Sequence, residues 1–391
     1  MIKQIFKNEV KNHLVLDIIP FWEALRDDEY GGFYGYKDFN GNVDKNYDKG
    51  CILNSRITWF FSEAYLLLRD DVLLQNARHG YEFLMNRCLD KENGGVFWSV
   101  TYDGKPADTT KHTYNQGFAI YALSTYYEAT GERKALDTAF DIYNIIESKC
   151  RDEGGYLEAF KIDFTPESNE KLSENGVMAT RTMNTLLHVF EGYSRLYKVT
   201  NDERVAKSLK EILDIYSSKI FNPEKHRQEV FFDHDYHSLI DLISYGHDIE
   251  SAWLIDEGTK ILGDKRYIHM ISPLMDELCT NIYETAFDGH SLPQECENRK
   301  VNEDRVWWVQ AETINGFLHY YLKYPGHVEY LSAAQNVWDY IKKNMMDKNN
   351  GNEWYWLLDK DGHPYTDKPI VEPWKCPYHN GRMCIKVLKD L

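Results

Sequence analysis

A short motif recurs six times along this chain of 391 residues: one or two glycine or other turn-forming residues, then aromatic or β-branched residues. The clearest copies are Gly-Gly-Phe-Tyr at 31–34, Gly-Gly-Val-Phe-Trp at 94–98 and Gly-Gly-Tyr-Leu at 154–157. Weaker copies begin at residues 230, 287 and 352, so the spacing is roughly 60 to 75 residues. Such a period indicates a repeated supersecondary unit whose copies bury their apolar faces against one another.

Two amphipathic stretches separate successive motifs. In the first interval, residues 55–68 place apolar side chains at helical spacing along one side, and residues 72–89 follow with a second helical pattern. Two helices and a short turn, repeated six times, predict an all-α fold: an (α/α)6 barrel of six helix pairs with short β-hairpin loops at one end. An open helical solenoid is the alternative, but the sharp glycine-rich aromatic loops favour a closed ring with a pocket. Since no Ser- or Pro-rich linker interrupts the pattern, we expect residues 1–391 to form a single domain.

Composition narrows the class of ligand. The net charge of −17, without a basic stripe, argues against binding to nucleic acid or to anionic lipid. No apolar run is long enough to span a membrane, residues 1–10 lack the apolar core of a signal peptide, and seven scattered cysteines contain no C-x-x-C pair. We therefore expect a cytoplasmic protein with reduced thiols. Ten Trp and 28 Tyr suit a neutral sugar, although many of them can equally pack between helices.

Three of the 14 histidines are flanked by aromatic residues and by groups that can orient an imidazole: His188, His247 and His379. Because histidine titrates near neutral pH, two or three of them in one pocket could pass protons in both directions. His247 and Glu250 are three residues apart at the predicted start of a helix, where the carboxylate could hold the imidazole N–H. A histidine satisfied by the core is one alternative. A metal site is another, although the chain has neither H-E-x-x-H nor clustered Asp residues.

Polar groups interrupt apolar helices at three further places. Asn184 and His188 are four residues apart, and because buried polar groups need partners, they either pair with each other or face a ligand. Trp308 and Glu312 share a helix face, where a stacking ring and a carboxylate would suit a sugar subsite; ordinary Trp packing is the alternative. Arg56 begins an apolar helix, so it either pairs with a buried carboxylate or stabilises an oxyanion.

Two more side chains complete the candidate pocket. Trp374 lies in a loop held by prolines at 373 and 377, which restrict the backbone and present the ring in a fixed position. Tyr114 opens another predicted inner helix and could offer its hydroxyl. His112, two residues earlier, is a weaker candidate and is not assigned to the site.

Taken together, these segments resemble the cellobiose 2-epimerases of the N-acylglucosamine 2-epimerase superfamily. The resemblance spans nearly the whole chain, and its motifs are jointly specific. They are Asn-Ser-Arg at 54–56, Met-Asn-Thr with His188, Ser-Tyr-Gly-His-Asp-Ile-Glu at 244–250, Trp-Trp-x-x-Ala-Glu at 307–312 and Trp-Lys-Cys-Pro-Tyr-His-Asn-Gly-Arg at 374–382. One departure is Leu187, which stands where many members carry a second histidine.

The resemblance implies an (α/α)6 barrel that uses neither a metal nor another cofactor and inverts C2 of the reducing-end sugar in a β-1,4-linked disaccharide. It implies that His247 and His379 act as the acid/base pair, that Glu250 orients His247, and that Arg56 and His188 stabilise an oxyanion and assist ring opening. It also implies a set of residues that bind the disaccharide: Tyr114, Asn184, Trp308, Glu312 and Trp374. We expect the protein to act as a monomer.

Other functions remain open at this stage. Within the superfamily, an N-acylglucosamine 2-epimerase and a mannose isomerase are the alternatives, since the same enediolate reprotonated at C1 gives a ketose. An (α/α)6 glycoside hydrolase would use two carboxylates, drawn from Asp248, Glu250 and Glu312, and would leave the histidines unexplained. A sugar-binding protein without catalysis would need the aromatic residues but not the histidine pair.

Overall fold

The computed structural model describes residues 2–391, and its helices alternate between an inner and an outer position. The inner helices are α3 (Cys51–Leu68), α5 (Thr113–Thr130), α7 (Met183–Thr200), α9 (Tyr245–Leu262), α11 (Trp307–Lys323) and α13 (His379–Asp390). The outer helices are α1 (Ile2–His13), α2 (Ile19–Glu23), α4 (Asp71–Phe83), α6 (Arg133–Lys149), α8 (Glu203–Ile215), α10 (Lys265–Thr285) and α12 (Val328–Tyr340). Four π-helical turns extend or join outer helices, at Leu14–Ile18, Leu84–Cys88, Tyr216–Ile220 and Ile341–Met345.

The inner helices form a closed ring. Each packs against the next, and α13 packs against α3, so the last inner helix closes on the first. This closure confirms the (α/α)6 barrel and excludes the open solenoid. The inner helices are apolar on most of their surface because they contact neighbours on both sides, whereas the outer helices are amphipathic. Among the described helices, none is long and apolar enough to cross a membrane.

The strands are short and lie in the loops, as predicted. They are β1 (Lys49–Gly50), β2 (Ser99–Val100), β3 (Lys111–His112), β4 (Arg151–Asp152), β5 (Gly155–Tyr156), β6 (Ala159–Phe160), β7 (Arg181–Thr182), β8 (Phe221–Asn222), β9 (Arg227–Gln228), β10 (Phe231–Phe232), β11 (Leu242–Ser244), β12 (Glu295–Glu297), β13 (Lys300–Asn302), β14 (Arg305–Val306) and β15 (Leu357–Leu358). They pair antiparallel, and β11, β12 and β13 form the one three-stranded sheet among residues 2–391. All fifteen occur in connections from an outer to the next inner helix, so they cluster at one end, which we call the cup.

Four of the six repeats share an ion pair that explains the recurring motif. An aspartate at the start of the glycine-containing turn accepts hydrogen bonds from backbone N–H groups two and three residues later. A lysine or arginine two residues before the inner helix then bonds that carboxylate. These pairs are Asp27–Lys49, Asp90–Lys111, Asp152–Arg181 and Asp288–Arg305, at 2.5 to 2.9 Å. The pair fixes where each inner helix begins, and therefore which side chains face the cup.

A second repeated interaction, a pair of side-chain hydrogen bonds, connects the first turn of an inner helix to the same loop. The amide of Gln116 accepts from the Val96 N–H and donates to its carbonyl at 2.7 and 2.8 Å. Gln310 does the same with Leu292 at 3.0 and 2.8 Å. In the fourth repeat the corresponding residue is Asp248, which is fully buried. A carboxyl group can replace a donating and accepting amide only when it is protonated.

Candidate active site

The cup leads into a cavity of about 350 Å³ between the N-terminal turns of the inner helices. Nine of the ten predicted site residues line it: Arg56, Tyr114, Asn184, His188, His247, Glu250, Trp308, Trp374 and His379. Glu312 is the exception. His112, which the sequence left aside, is fully buried and bonds Asn169 outside the cavity. The fold therefore gathers side chains from all six inner helices or their preceding loops into one pocket.

Two imidazoles, those of His247 and His379, face the cavity around a shared tryptophan. The Trp308 ring centroid lies 4.7 Å from that of His247 and 5.4 Å from that of His379. Gly246 permits this approach, because a Cβ atom there would lie 2.5 Å from the Trp308 ring. Two groups that can transfer protons are thus fixed against one aromatic wall, as a reaction with proton transfer to and from one carbon requires.

His379 is oriented by Glu312. Its Nδ1 lies 2.7 Å from Glu312 Oε1, and because a carboxylate only accepts, Nδ1 carries the proton and Nε2 is left for the cavity. Glu312 is completely buried, and its other oxygen accepts from Trp253 Nε1 and Asn315 Nδ2 at 2.9 and 3.2 Å. The prediction that Glu312 bonds sugar hydroxyls is therefore wrong, since it lies one helical turn below the cavity with both oxygens occupied.

His247 has a different partner from the one predicted. Its Nδ1 lies 2.7 Å from the Ser244 hydroxyl, which comes from the end of β11. The predicted contact with Glu250 does not form, because the Glu250 carboxylate instead accepts from Arg382 Nη2 at 2.5 Å. A hydroxyl can donate or accept, so the His247 ring can hold its proton on either nitrogen. His379 has no such freedom.

Glu250 has one oxygen bonded and the other free. Oε2 is buried and has no hydrogen-bond partner among residues 2–391, while the residue lines the cavity. Burial and the adjacent Glu312 carboxylate raise the pKa of Glu250 to about 8, against the opposing effect of Arg382. A protonated Glu250 could therefore donate a hydrogen bond to a ligand oxygen.

The alternatives left open for Asn184 and His188 are now resolved. His188 Nδ1 bonds Glu191 Oε2 at 2.9 Å and lies 3.4 Å from the Tyr378 hydroxyl. Asn184 Oδ1 has no hydrogen-bond partner in the part of the chain that the structure describes, and its side chain lines the cavity. The two residues do not pair with each other, and both line the cavity.

Arg56 is a buried cation that faces the cavity without a carboxylate. Its hydrogen bonds within residues 2–391 go to the Tyr114 hydroxyl at 2.7 Å and, more weakly, to Cys376 Sγ at 3.9 Å. Its guanidinium stacks 4.1 Å from the Phe118 ring centroid. The six inner helices also point their N-termini towards the cup, where the helix dipole favours negative charge. Arg56 is therefore placed to stabilise an anion in the cavity.

Aromatic rings form the opposite wall and the mouth. The Trp374 ring lies 5.5 Å from Trp98 and 5.9 Å from Tyr114. Sequence reasoning missed two further tryptophans that line the cavity, Trp307 and Trp356. Trp307 could have been suspected from the Trp-Trp doublet, whereas Trp356 gives no signal beyond its place in the sixth repeated motif.

Burial controls the charge of the two cavity imidazoles. Burial, aided by the neighbouring His188 and His379, lowers the pKa of His247 to about 3. Burial, together with Arg382 and Arg56, lowers the pKa of His379 to about 3 despite the Glu312 carboxylate. Both rings are therefore neutral near pH 7, and a neutral imidazole with a free Nε2 is a base.

One group of side chains has the spacing of metal ligands: atoms of Glu250, Glu312 and His379 lie within 4.8 Å of one another. The guanidinium of Arg382 already bonds both carboxylates from one nitrogen, at 2.5 and 2.8 Å. A cation of the protein itself therefore already occupies the carboxylate oxygens that a metal ion would need.

Comparison with known proteins agrees with this geometry. The sequence profile described as N-acylglucosamine 2-epimerase matches residues 31–380. The chain belongs to the N-acylglucosamine 2-epimerase family. It is 52% identical to the cellobiose 2-epimerase of Eubacterium cellulosolvens, with 98% of each chain covered.

Two solved structures of this family are closely similar. The first is a sugar epimerase from a ruminal bacterium, which superposes with a TM-score of 0.96 at 45% identity and 98% coverage of each chain. The second is the cellobiose 2-epimerase of Bacillus thermoamylovorans, with a TM-score of 0.95 at 42% identity, covering 99% of this chain and 100% of that one. Family membership identifies the chain as a carbohydrate epimerase or isomerase with the (α/α)6 fold.

Proposed function

We propose that the protein is a cellobiose 2-epimerase, which reversibly inverts C2 of the reducing-end glucose in β-1,4-linked disaccharides without breaking the glycosidic bond. The observation that carries this proposal is the pair His247 and His379, held against one Trp308 ring with different partners on Nδ1. The names of the two cellobiose 2-epimerases above support the same substrate class. Cellobiose, lactose and mannobiose are the substrates to expect.

Epimerisation requires a base on one face of C2 and an acid on the other. His379 has its Nδ1 proton fixed by Glu312, so its Nε2 takes the C2 proton of the ring-opened sugar. His247 returns a proton from Nε2 to the other face as an imidazolium, which the negative enediolate beside it stabilises, and the ring is left neutral with its Nδ1–H donated to the Ser244 hydroxyl. Because the neutral ring keeps its Nδ1 proton on the Ser244 hydroxyl, its Nε2 is free, and His247 also serves as the base in the opposite direction.

The cis-enediolate formed between these steps carries negative charge on oxygen. Arg56 supplies a buried cation without a competing carboxylate, and protonated Glu250 supplies a hydrogen-bond donor. His188, backed by Glu191, is placed to exchange a proton with the ring oxygen or O1 and so to assist ring opening. Asn184 offers the cavity an unpaired amide for a sugar hydroxyl.

The shape of the cavity favours a disaccharide over a single sugar. Beyond the histidines it continues to a mouth lined by polar and aromatic side chains: Lys171, Glu174, Gln294, Glu295, Trp356 and Lys368. A second ring can occupy this outer part, with Trp374 available for stacking. N-acylglucosamine and free mannose would leave it empty. Ketose formation by reprotonation at C1 is expected as a minor side reaction.

The state of the carboxylates disfavours a glycoside hydrolase. Such an enzyme needs two carboxyl groups that reach the glycosidic bond. Of the three candidates, Glu312 is saturated below the cavity, and Asp248 lies on the far side of α9 against Gln228. Glu250 alone reaches the cavity.

We further propose that residues 1–391 act as one catalytic domain, as a monomer in the cytoplasm. Support for the single domain comes from the ring itself, because α13 closes on α3.

The test is an incubation of EDTA-treated protein with cellobiose in D2O, followed by proton NMR. We expect glucosyl-mannose with deuterium at C2, and we expect His247→Ala and His379→Ala each to abolish it while remaining folded. Free glucose would indicate a hydrolase. If either variant kept a near-normal rate, the histidine that it lacks would not take part in the proton transfer. If cellobiose does not react, N-acylglucosamine and mannose are the substrates to test next.

A further inference from the structure

One buried side chain that has no role in the steps above connects both histidine systems. Arg382 Nη1 bonds Glu191 Oε1 at 2.6 Å, and its Nη2 bonds Glu312 Oε1 at 2.8 Å. Glu191 is the partner of His188, and Glu312 is the partner of His379. Arg382 thus lies between two carboxylates, each of which orients a different imidazole.

We propose that Arg382 is a positioning residue for the epimerisation: it holds the orienting carboxylates of His188 and His379 simultaneously, and so fixes the tautomer and the direction of both rings. This inference rests on the proposed function. Arg382 is not itself catalytic, because it is 3% exposed and does not line the cavity. It acts only through Glu191, Glu312 and the third carboxylate that it bonds, Glu250.

Of the cationic side chains, the guanidinium group of arginine is the one whose shape suits these carboxylates. Its planar fork directs Nη1 and Nη2 to carboxylates from three different inner helices: Glu191 on α7, Glu250 on α9 and Glu312 on α11. Its plane is also fixed by aromatic rings, since the Tyr378 and Trp253 centroids lie 4.1 and 4.8 Å from Cζ. A lysine ammonium is a single point with a flexible stem and cannot bridge the three.

The charge of Arg382 also sets the protonation of its neighbours. Burial alone would raise the pKa of Glu312, but Arg382 and the His379 hydrogen bond lower it to about 2, so Glu312 stays anionic. Groups from several elements face the His379 ring: Arg56 from α3, His247 and Glu250 from α9, Glu312 from α11 and Arg382 from its own helix. Of the two cations, Arg382 acts on His379 more strongly, so its removal should raise the pKa of this base.

The test variants are Arg382→Lys and Arg382→Met. For Arg382→Lys we expect kcat to fall at least 30-fold while KM changes less than threefold, because the substrate does not contact Arg382. The acid limb of kcat/KM should move to higher pH, and it should move further in Arg382→Met if that variant folds. A purely structural role would lower the yield of folded protein but leave the pH profile of the folded fraction unchanged.

Arg195→Lys is the matched control. Arg195 is a largely buried arginine that lies one turn beyond Glu191 on α7, and it forms ion pairs with Glu63 and Glu128, neither of which orients a cavity histidine. It should lose thermal stability without a shift in the pH profile. If Arg382→Lys behaves as Arg195→Lys does, the positioning role is refuted. If the wild-type protein itself fails to exchange C2–H, the proposed function fails instead, so the two outcomes are distinct.

Discussion

Replacing Glu312 by glutamine tests the tautomer argument with a change of a single atom. Glu312 accepts four hydrogen bonds: from His379 and Arg382 on one oxygen, and from Trp253 and Asn315 on the other. An amide has one oxygen and one NH2 group, so in either orientation its NH2 faces two donors. Glu312→Gln therefore cannot preserve the network.

The expected magnitude follows from these contacts. With the amide oxygen towards His379, two hydrogen bonds to a charged carboxylate are lost, which destabilises the fold by about 3–6 kcal/mol, and the charge that supports the imidazolium disappears. A charged hydrogen bond contributes about 1.5–3 kcal/mol, which corresponds to a fall in kcat of about 10- to 150-fold. With the amide reversed, His379 must move its proton to Nε2, and the base is lost entirely. For a Glu312→Gln protein whose amide samples both orientations, we expect kcat to fall at least about 100-fold.

The assay is the rate of deuterium incorporation at C2 in D2O, with the protein shown to be folded by near-ultraviolet circular dichroism. KM should change less than threefold, because Glu312 does not line the cavity. Glu63→Gln is the control, since Glu63 is an equally buried glutamate that pairs with Arg195 and Lys389 away from the histidines. A Glu312→Gln protein with a wild-type rate would refute the assigned tautomer of His379.

Two further predictions concern the fourth repeat. Ser244→Ala removes the hydroxyl that bonds His247 Nδ1. We expect kcat to fall about tenfold, corresponding to one lost hydrogen bond, and an unchanged C2 exchange rate would contradict the role of Ser244 in orienting His247. Burial raises the pKa of Asp248 to about 8, so the stability that its neutral form contributes is present below about pH 4 and is lost as the pH rises through 8. Asp248→Asn should therefore unfold at a higher urea concentration than wild type at pH 8.5, with a smaller difference at pH 5; equal midpoints at both values would show that Asp248 is not forced to ionise.

The fold could be predicted from the sequence because each repeat carries its own local signals. Glycine-containing turns, two amphipathic stretches per interval and the absence of a linker predicted the six helix pairs, and the ring confirms them. The ion pairs that anchor the inner helices were not predicted. Asp90 and Lys111, for example, are 21 residues apart in sequence and would each pass as a surface charge, yet both are buried. Nothing in a single sequence indicates which charges meet across a loop.

The sequence was less able to predict which side chains pair within the site. Helical spacing placed Glu250 beside His247, yet the structure pairs Glu250 with Arg382, which is 132 residues away in sequence. Spacing within one helix predicts contacts along that helix only, whereas in a ring of inner helices a partner can come from any helix that faces the centre. Arg382 reaches Glu250 from α13, which is not adjacent to α9 in the ring. Glu312 was misassigned for the same reason. The His188–Glu191 contact lies within one helix, and there the spacing was informative.

The two repeats that lack the shared ion pair are those that supply His247 and His379, the histidines that we propose as the acid/base pair. Where the other repeats place a lysine or arginine two residues before the inner helix, the fourth repeat has Ile243 and the sixth has Pro377. Freed from that anchor, α9 begins after the three-stranded sheet that positions Ser244, and α13 begins directly at His379. The four regular repeats share one anchor for the inner helix, and the two irregular repeats carry the histidines that we propose to transfer protons. Departures from a consistent local pattern are expected at functional sites.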